Sequence, residues 1–220
     1  MSTPHSSLDN AVTAGAGRVA PGLSRRQQAL KRSFDCLGAA GGLLLTFWLI
    51  GLAWLLASLD TRQNGFFIQE RVGQHGRRFS VVKIRTMRPS AEVTTTVTTG
   101  RDARITPIGR FLRRTKIDEL PQLFNVLLGQ MSFVGPRPDV PGFADRLEGE
   151  ERAMLSLKPG ITGPATLAYR HEEELLTKQA DPERYNREVI WPDKVRLNLE
   201  YVRRWSLFGD IRYIWQTVVG

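Results

Sequence analysis

The chain has 220 residues and a mass of 24.8 kDa, with 41% apolar and 24% charged residues. That is enough for a packed core, and it excludes a collagen-like or wholly disordered chain. The single cysteine, Cys36, excludes an intrachain disulfide framework and a multi-cysteine zinc site. The net charge of +9 is unevenly spread. Residues 1–60 carry 5 Lys/Arg against 3 Asp/Glu, residues 61–117 carry 13 against 3, and residues 118–220 carry 13 against 16. A basic block of this kind implies an anionic partner, whether nucleic acid, anionic lipid or a phosphorylated small molecule.

Residues 1–24 are rich in Ser, Thr, Ala and Gly without an apolar period, and read as a disordered tail. Arg25, Arg26, Lys31 and Arg32 form a basic flank. Leu37–Leu59 then runs for 23 residues without a charge, longer than the roughly 20 residues a bilayer requires. Residues 25–60 are therefore expected to be a basic flank and a membrane helix rather than a core helix or a cleaved leader. Both flanks are basic, with Arg62, Arg71, Arg77 and Arg78 on the far side, so charge asymmetry does not orient the segment.

Residues 61–220 are expected to form the domain that follows the membrane helix. Phe66–Val72 and Phe79–Met87 flank the turn-like Gly73-Gln74-His75-Gly76 and predict a strand pair. Strand alternation puts Phe79, Val81, Lys83 and Arg85 on one face, with two cations side by side. Residues 89–104 read as a Thr-rich loop. Thr106-Pro107 predicts a helix start, with Arg110, Arg113 and Arg114 sharing a face.

Leu120, Leu123, Phe124, Leu127 and Leu128 follow a helical period. Pro121 belongs in a first turn, so the helix is expected to begin near Asp118. Asp118 and Glu119 would then sit at a helix N-terminus, where negative charge is favoured. Adjacent acids at such a place are commonly caps. Here Arg113, Arg114 and Lys116 precede the pair, and Gly135-Pro136-Arg137-Pro138 holds another Arg in a rigid turn. A carboxylate among cations stays ionised. It can serve as a nucleophile or hold a metal while the cations hold phosphate oxygens. The three histidines form no ligand pair, and no Walker, dinucleotide-binding or nucleophile-elbow motif occurs. Any metal should be a hard ion with oxygen ligands, Mg²⁺ beside a phosphate above all.

In the last third, Trp191-Pro192-Asp193 opens a helical stretch. Trp205, Leu207, Phe208, Ile211, Tyr213, Ile214 and Trp215 follow with interleaved Arg, as suits either a headgroup-level helix or core packing. Glu172-Glu173-Glu174 reads as a solvated face, and Cys36 as a small apolar residue at the membrane edge.

Taken in order, Lys31-Arg32-Ser33-Phe34-Asp35, Gln69–Gly73, Lys83-Ile84-Arg85-Thr86-Met87, Asp118–Leu123, Gly135–Pro138 and Lys158–Gly163 are six motifs in register. With them the chain resembles the bacterial sugar transferases, the monotopic polyprenol-phosphate phosphoglycosyl transferases, over roughly residues 30–215. The fold class expected is α/β and mainly helical, with an N-terminal re-entrant membrane helix, a small strand pair and amphipathic interfacial helices. The resemblance implies transfer of a sugar phosphate from a UDP-sugar to undecaprenyl phosphate through a phosphosugar-aspartate intermediate, with Mg²⁺, to start a surface glycan such as exopolysaccharide, O-antigen or capsule.

By motif position, Asp118 would be the nucleophile and the Mg²⁺ ligand, and Glu119 its support. Lys83, Arg85, Arg113, Arg114 and Arg137 would bind substrate. The resemblance also implies a bacterial inner-membrane location with the catalytic domain on the cytoplasmic face, contact with membrane lipid, no nucleic acid, and scope for a homo-oligomer. Two positions depart from the family pattern. Thr46-Phe47-Trp48-Leu49 stands where the family breaks its helix with Ser-Pro, and Pro164 stands where many members carry an aromatic. Two other readings share the same residues: a membrane-anchored basic module for anionic lipid or nucleic acid, and a Mg²⁺-dependent lipid-phosphate hydrolase.

Overall fold

The computed structural model describes residues 22–89 and 102–219. The tail expected up to residue 24 thus lies almost wholly outside the described residues, as do residues 90–101 of the Thr-rich loop. The described chain is mainly helical, as the sequence predicts. It opens with α1 (Arg25–Thr61), a single helix of 37 residues, about 55 Å long at 1.5 Å per residue. Ser24 caps it: its hydroxyl accepts from the Gln27 amide, and the Gln27 side chain accepts in return from the Ser24 amide.

One stripe of α1 faces the rest of the domain. Lys31, Asp35, Ala39, Ile50, Ala53, Ala57 and Thr61 are buried, and Leu43 bridges the gap between Ala39 and Ile50. That is helical spacing over 30 residues. The opposite face exposes Leu37, Leu44, Leu45, Phe47, Trp48, Leu55 and Leu59 to the surroundings. The helix is long and apolar enough to cross a membrane, yet only 17% of its most apolar window is buried. A core helix of a soluble protein would be covered on that side. No break interrupts α1 where the family places Ser-Pro. The helix runs on through this point, and Thr46 donates its hydroxyl to the Gly42 carbonyl at 2.7 Å.

Strands β1 (Phe66–Val72) and β2 (Arg78–Ile84) pair antiparallel, with Phe67 opposite Lys83. Helix α2 (Pro107–Arg114) starts as predicted, with the Thr106 hydroxyl accepting from Gly109 N at 2.9 Å and Pro107 in the first turn. Helix α3 (Gln122–Leu127) begins later than predicted. Asp118 and Glu119 lie in a preceding 3₁₀ turn, Ile117–Glu119, because Leu120 N bonds three residues back to Ile117 O and Pro121 has no N–H to continue the ladder. The apolar residues that follow a helical period also divide. Leu123 is buried, while Phe124, Leu127 and Leu128 are exposed. Periodicity reports an apolar face, not what covers it.

A second strand pair escapes the sequence reading. Strands β3 (Ser132–Val134) and β4 (Gly160–Thr162) pair in parallel. They are too short for a period-2 signal, and their pairing partners are 28 residues apart (Ser132 with Gly160). Backbone meets backbone here: a Cβ on Gly160 would lie 2.1 Å from Gly135 N, and one on Gly135 would lie 2.3 Å from Lys158 O. Two of the motifs are therefore two sides of one contact, with Gly135 N donating to Thr162 O and Gly160 N to Pro136 O.

Short helices α4 (Pro164–Ala168), α5 (Glu172–Thr177) and α6 (Pro182–Tyr185) lead through a π-helical turn, Asn186–Ile190, into α7 (Trp191–Arg203) and α8 (Leu207–Val219). Helix α8 exposes Phe208, Ile211, Trp215 and Val218 on one side, while Tyr213 and Ile214 pack against a core of Val134, Leu157, Tyr201 and Val202. Of the two readings offered for these aromatics, core packing holds for Tyr213, Ile214 and Trp205, while Phe208, Ile211 and Trp215 remain exposed.

A buried polar knot ties the start of α1 to the last two helices. Lys31 Nζ donates to Asp210 Oδ2 at 2.6 Å and to the Tyr201 hydroxyl at 3.3 Å. Tyr201 donates to Asp210 Oδ1 at 2.7 Å and Trp205 Nε1 to Asp210 Oδ2 at 3.0 Å. Asp210 is fully buried. Breaking one partner of a buried ion pair strands the other charge, at a cost of about 3–5 kcal/mol. Asp210→Ala should therefore lower the denaturation midpoint of the detergent-solubilised chain by a corresponding amount. An unchanged midpoint would mean that the knot does not hold α1 to the domain.

Candidate active site

Strand β2 places Lys83 beside the turn that carries the acids, and Asn125 fixes that register. On the strand edge that β1 leaves open, Asn125 donates to Ser80 O at 2.7 Å and accepts from Val82 N at 3.2 Å. The buried amide thus satisfies backbone groups that would otherwise be unpaired. The turn itself starts at Lys116, whose φ of 58° lies in the left-handed region. A non-glycine residue in that region is uncommon and is held there by its surroundings.

Glu119 is buried, and one of its oxygens accepts from two cations, Lys83 Nζ at 3.2 Å and Arg137 at 3.0 Å. Burial alone would raise its pKa. The charges of Arg137, Lys83 and Lys116 outweigh it and hold the carboxyl well below the usual range. In return the Glu119 charge raises the Arg137 pKa, while burial lowers that of Lys83 against the pull of Glu119.

Asp118 is in the opposite state. It is buried, and its Oδ1 has no hydrogen-bond partner among the described residues. Burial first, then the neighbouring Glu119 charge, push its pKa up to about 6, against Lys83, Arg113 and Lys116. An adjacent pair of acids is thereby split into one fixed anion and one carboxylate with an unused oxygen. Among the described residues no cluster of three His, Cys, Asp or Glu could enclose a metal. Mg²⁺ does not require one, since it commonly takes one or two carboxylates plus substrate phosphates and water. The free Asp118 oxygen fits that donor set.

The cleft beside these acids is lined by Arg71, Val81, Lys83, Gln122, Arg137 and Pro138. Arg71 was not among the residues the sequence singled out for the site. It reaches the cleft from β1 and donates to Pro138 O at 3.3 Å. Burial and the nearby Arg137 lower its pKa to about 10, with Asp139 opposing. Asp139 is itself raised to about 6 by burial, against Lys194, Arg71 and Arg137. Arg71 stands in the Gln69–Gly73 motif, and that motif was the one available signal.

The remaining predicted cations divide. Arg113 is half-buried, lies in the electrostatic reach of Asp118, and is ion-paired to Glu173. Arg114 is exposed and makes no bond among the described residues. Arg85 does not join Lys83 at the site. It lies just past the end of β2, donates to Asn64 O at 2.8 Å and Phe66 O at 3.3 Å, and stacks over Phe67. The face shared on an ideal strand ends with the strand. Glu172 and Glu173 are not a solvated face either: Glu172 binds Lys194 at 2.7 Å and Glu173 binds Arg113, while Glu174 stays exposed. Their sequence pattern carries no sign of partners 22 and 60 residues away.

The family model described as bacterial sugar transferase matches residues 26–220. Among similar proteins, an undecaprenyl-phosphate glucose phosphotransferase of Komagataeibacter xylinus is 38% identical over 205 residues, covering 89% of this chain and 36% of its own. A UDP-glucose:undecaprenyl-phosphate glucose-1-phosphate transferase of Escherichia coli K12 is 36% identical over 201 residues, covering 89% of this chain and 41% of its own. Exopolysaccharide production protein ExoY of Rhizobium meliloti is 31% identical over 204 residues, covering 86% of this chain and 83% of its own. The chain thus spans about two fifths of the length of the first two relatives.

The geometry sets the sign of one titration. In metal-free buffer the Asp118 carboxyl should ionise near pH 6, so its anionic fraction grows as pH rises through that value. Glu119→Gln removes the adjacent negative charge and should move the midpoint lower. Carboxyl ¹³C NMR of the labelled chain measures both, and a midpoint that stays put or rises in the variant contradicts the assigned coupling.

Proposed function

The chain belongs to the bacterial sugar transferase family, and we propose that it is a phosphoglycosyl transferase that moves a sugar phosphate from a UDP-sugar to undecaprenyl phosphate. The observation that carries this reading is the split acid pair: Glu119 bound by Lys83 and Arg137, beside Asp118 with an unused carboxylate oxygen. The names of the relatives support the donor and acceptor classes.

In the first step an Asp118 oxygen attacks the sugar-bearing phosphorus. The phosphoanhydride bond breaks, its electrons leave with UMP, and an aspartyl-phosphosugar remains. In the second step a phosphate oxygen of undecaprenyl phosphate attacks the same phosphorus. The Asp118–phosphorus bond breaks, and a diphosphate-linked lipid sugar is released. Each step brings anions together, so fixed cations matter most when charge builds on the transferring oxygens. Lys83, Arg137 and Arg71 line the cleft where those oxygens would lie. Glu119 keeps two of these cations in place before substrate arrives, so little reorganisation is needed. Arg113 and Lys116 add positive potential around Asp118. Mg²⁺, held by Asp118 and the donor's phosphates, would supply further neutralisation of the diphosphate charge.

The membrane reading follows from α1. The domain packs along the helix from Lys31 to Thr61, a rise of about 45 Å against roughly 30 Å of bilayer hydrocarbon. A segment bound to one domain at both ends is best accommodated in a membrane without crossing it. That keeps the acid turn at the surface where a lipid acceptor and a soluble donor meet. The cytoplasmic face of the inner membrane is where a UDP-sugar donor is found, and a surface glycan is the product class the relatives' names support.

Asp118→Asn should abolish UMP release from UDP-sugars with undecaprenyl phosphate while the protein still fractionates with membranes. Full activity in that variant would refute the nucleophile assignment. A donor labelled in the sugar phosphate should leave label on the protein before acceptor is added. Absence of that adduct favours direct transfer, and release of free sugar phosphate favours a hydrolase. A panel of UDP-sugars identifies the sugar.

A further inference from the structure

At the end of α3 away from the catalytic turn, two cations converge without an anion. The Arg32 guanidinium donates to Val126 O at 2.6 Å and Leu127 O at 2.7 Å, closing the C-terminus of α3. The chain then turns at Gly129 with φ +81°, a conformation that favours glycine. A side chain there would begin 3.3 Å from an Arg32 nitrogen and 3.4 Å from Lys158 Nζ. Two positive groups therefore close in on one glycine, near enough that a side chain there would press on both.

Lys158 Nζ makes no hydrogen bond or ion pair among the described residues. Burial, and then Arg32, depress its pKa. Asp35, whose charge opposes that shift, is already engaged, accepting from Ser132 Oγ at 3.0 Å and Phe133 N at 3.1 Å. Lys31 is committed to Asp210. Arg32 spends two of its five donors on the helix end. The pair thus retains donors and net positive charge, at the cost of mutual repulsion that an anion would relieve. Beside them the chain is apolar and outward-facing: Leu128, next to Gly129, is 73% exposed, and Leu127, whose carbonyl Arg32 binds, is also open.

We infer that Arg32 and Lys158, over Gly129, form a binding site for the phosphodiester headgroup of an anionic membrane phospholipid, whose acyl chains would lie along Leu127 and Leu128. Charge complementarity and the apolar rim together select a lipid over a soluble phosphate. Guanidinium and ammonium groups bind phosphate oxygens by charge-assisted hydrogen bonds, and basic residues beside apolar membrane-facing surface recognise anionic headgroups. Helix α3, about 9 Å long, separates this site from the acid turn. The inference does not depend on the transfer reaction.

Native mass spectrometry of the full chain in detergent, with added phosphatidylglycerol or phosphatidylcholine, tests it. The unaltered chain should retain phosphatidylglycerol preferentially, and excess inorganic phosphate should not displace it. Lys158→Gln should cut that retention about fivefold, the effect of one headgroup-facing cation. Lys158→Arg should preserve it, and circular dichroism should match the unaltered chain. Asp118→Asn should retain the lipid normally, so loss of activity and loss of lipid remain separable. Equal retention in Lys158→Gln, no preference over phosphatidylcholine, or retention of undecaprenyl phosphate alone would overturn the site. If Lys158→Gln does not fold, a photoactivatable phosphatidylglycerol on the unaltered chain decides the matter. Labelling of the peptide containing Lys158 upholds the site, and labelling only elsewhere overturns it.

Discussion

Glu119 is the charge on which the active-site arrangement depends. A carboxylate buried without partners would take up a proton, and buried lysine and arginine would lose stability as ions. Grouped, each makes the others tolerable: Glu119 accepts from Lys83 on β2 and from Arg137 in the turn after β3. One acid thereby draws two distant elements onto one turn. It also leaves its neighbour in an unusual state, because Asp118 shares the burial and feels the Glu119 charge without receiving the same bonds. An unused carboxylate oxygen and a fully engaged one are thus found on adjacent residues of the same chemical type.

The supports around this cluster are polar and buried. Asn125 pins β2 to α3, the Lys31–Asp210–Tyr201 knot pins α1 to α7 and α8, and Asp35 accepts from the amide of Phe133 on β3. Such groups cost more than apolar packing unless every bond is made, and they tolerate few alternative arrangements. A domain that gives up one side of α1 to a membrane has less apolar surface to bury inward. Directional bonds at the seam between helix and domain compensate by defining how the two meet.

Much of this was legible in the chain. The uncharged run after the basic flank, the Thr106-Pro107 helix start and the strand pair around the Gly73–Gly76 turn are local features, and local chemistry determines them. The acid pair stood out because cations crowded it in sequence. Arg85, Arg114 and Arg71 mark the limit of that reading. Strand alternation put Arg85 beside Lys83, but the strand ends at Ile84 and Arg85 turns to backbone carbonyls. Arg71 reaches the cleft from the neighbouring strand through a bond to Pro138, which no spacing rule contains.

By itself, then, the sequence determined which chemical groups are present, where helices start, and that one long segment is too apolar for water. These follow from side-chain polarity, capping and the lack of an N–H in proline, all of which act within a few residues. Only the tertiary structure decided which cations hold Glu119, which helix face remains uncovered, and that the 3₁₀ turn rather than α3 carries the acids. Those outcomes depend on contacts between residues far apart in the chain, such as Lys83 with Glu119 or Gly135 with Gly160. Their geometry is set by strand register and buried hydrogen bonds, and periodicity along the chain does not encode it.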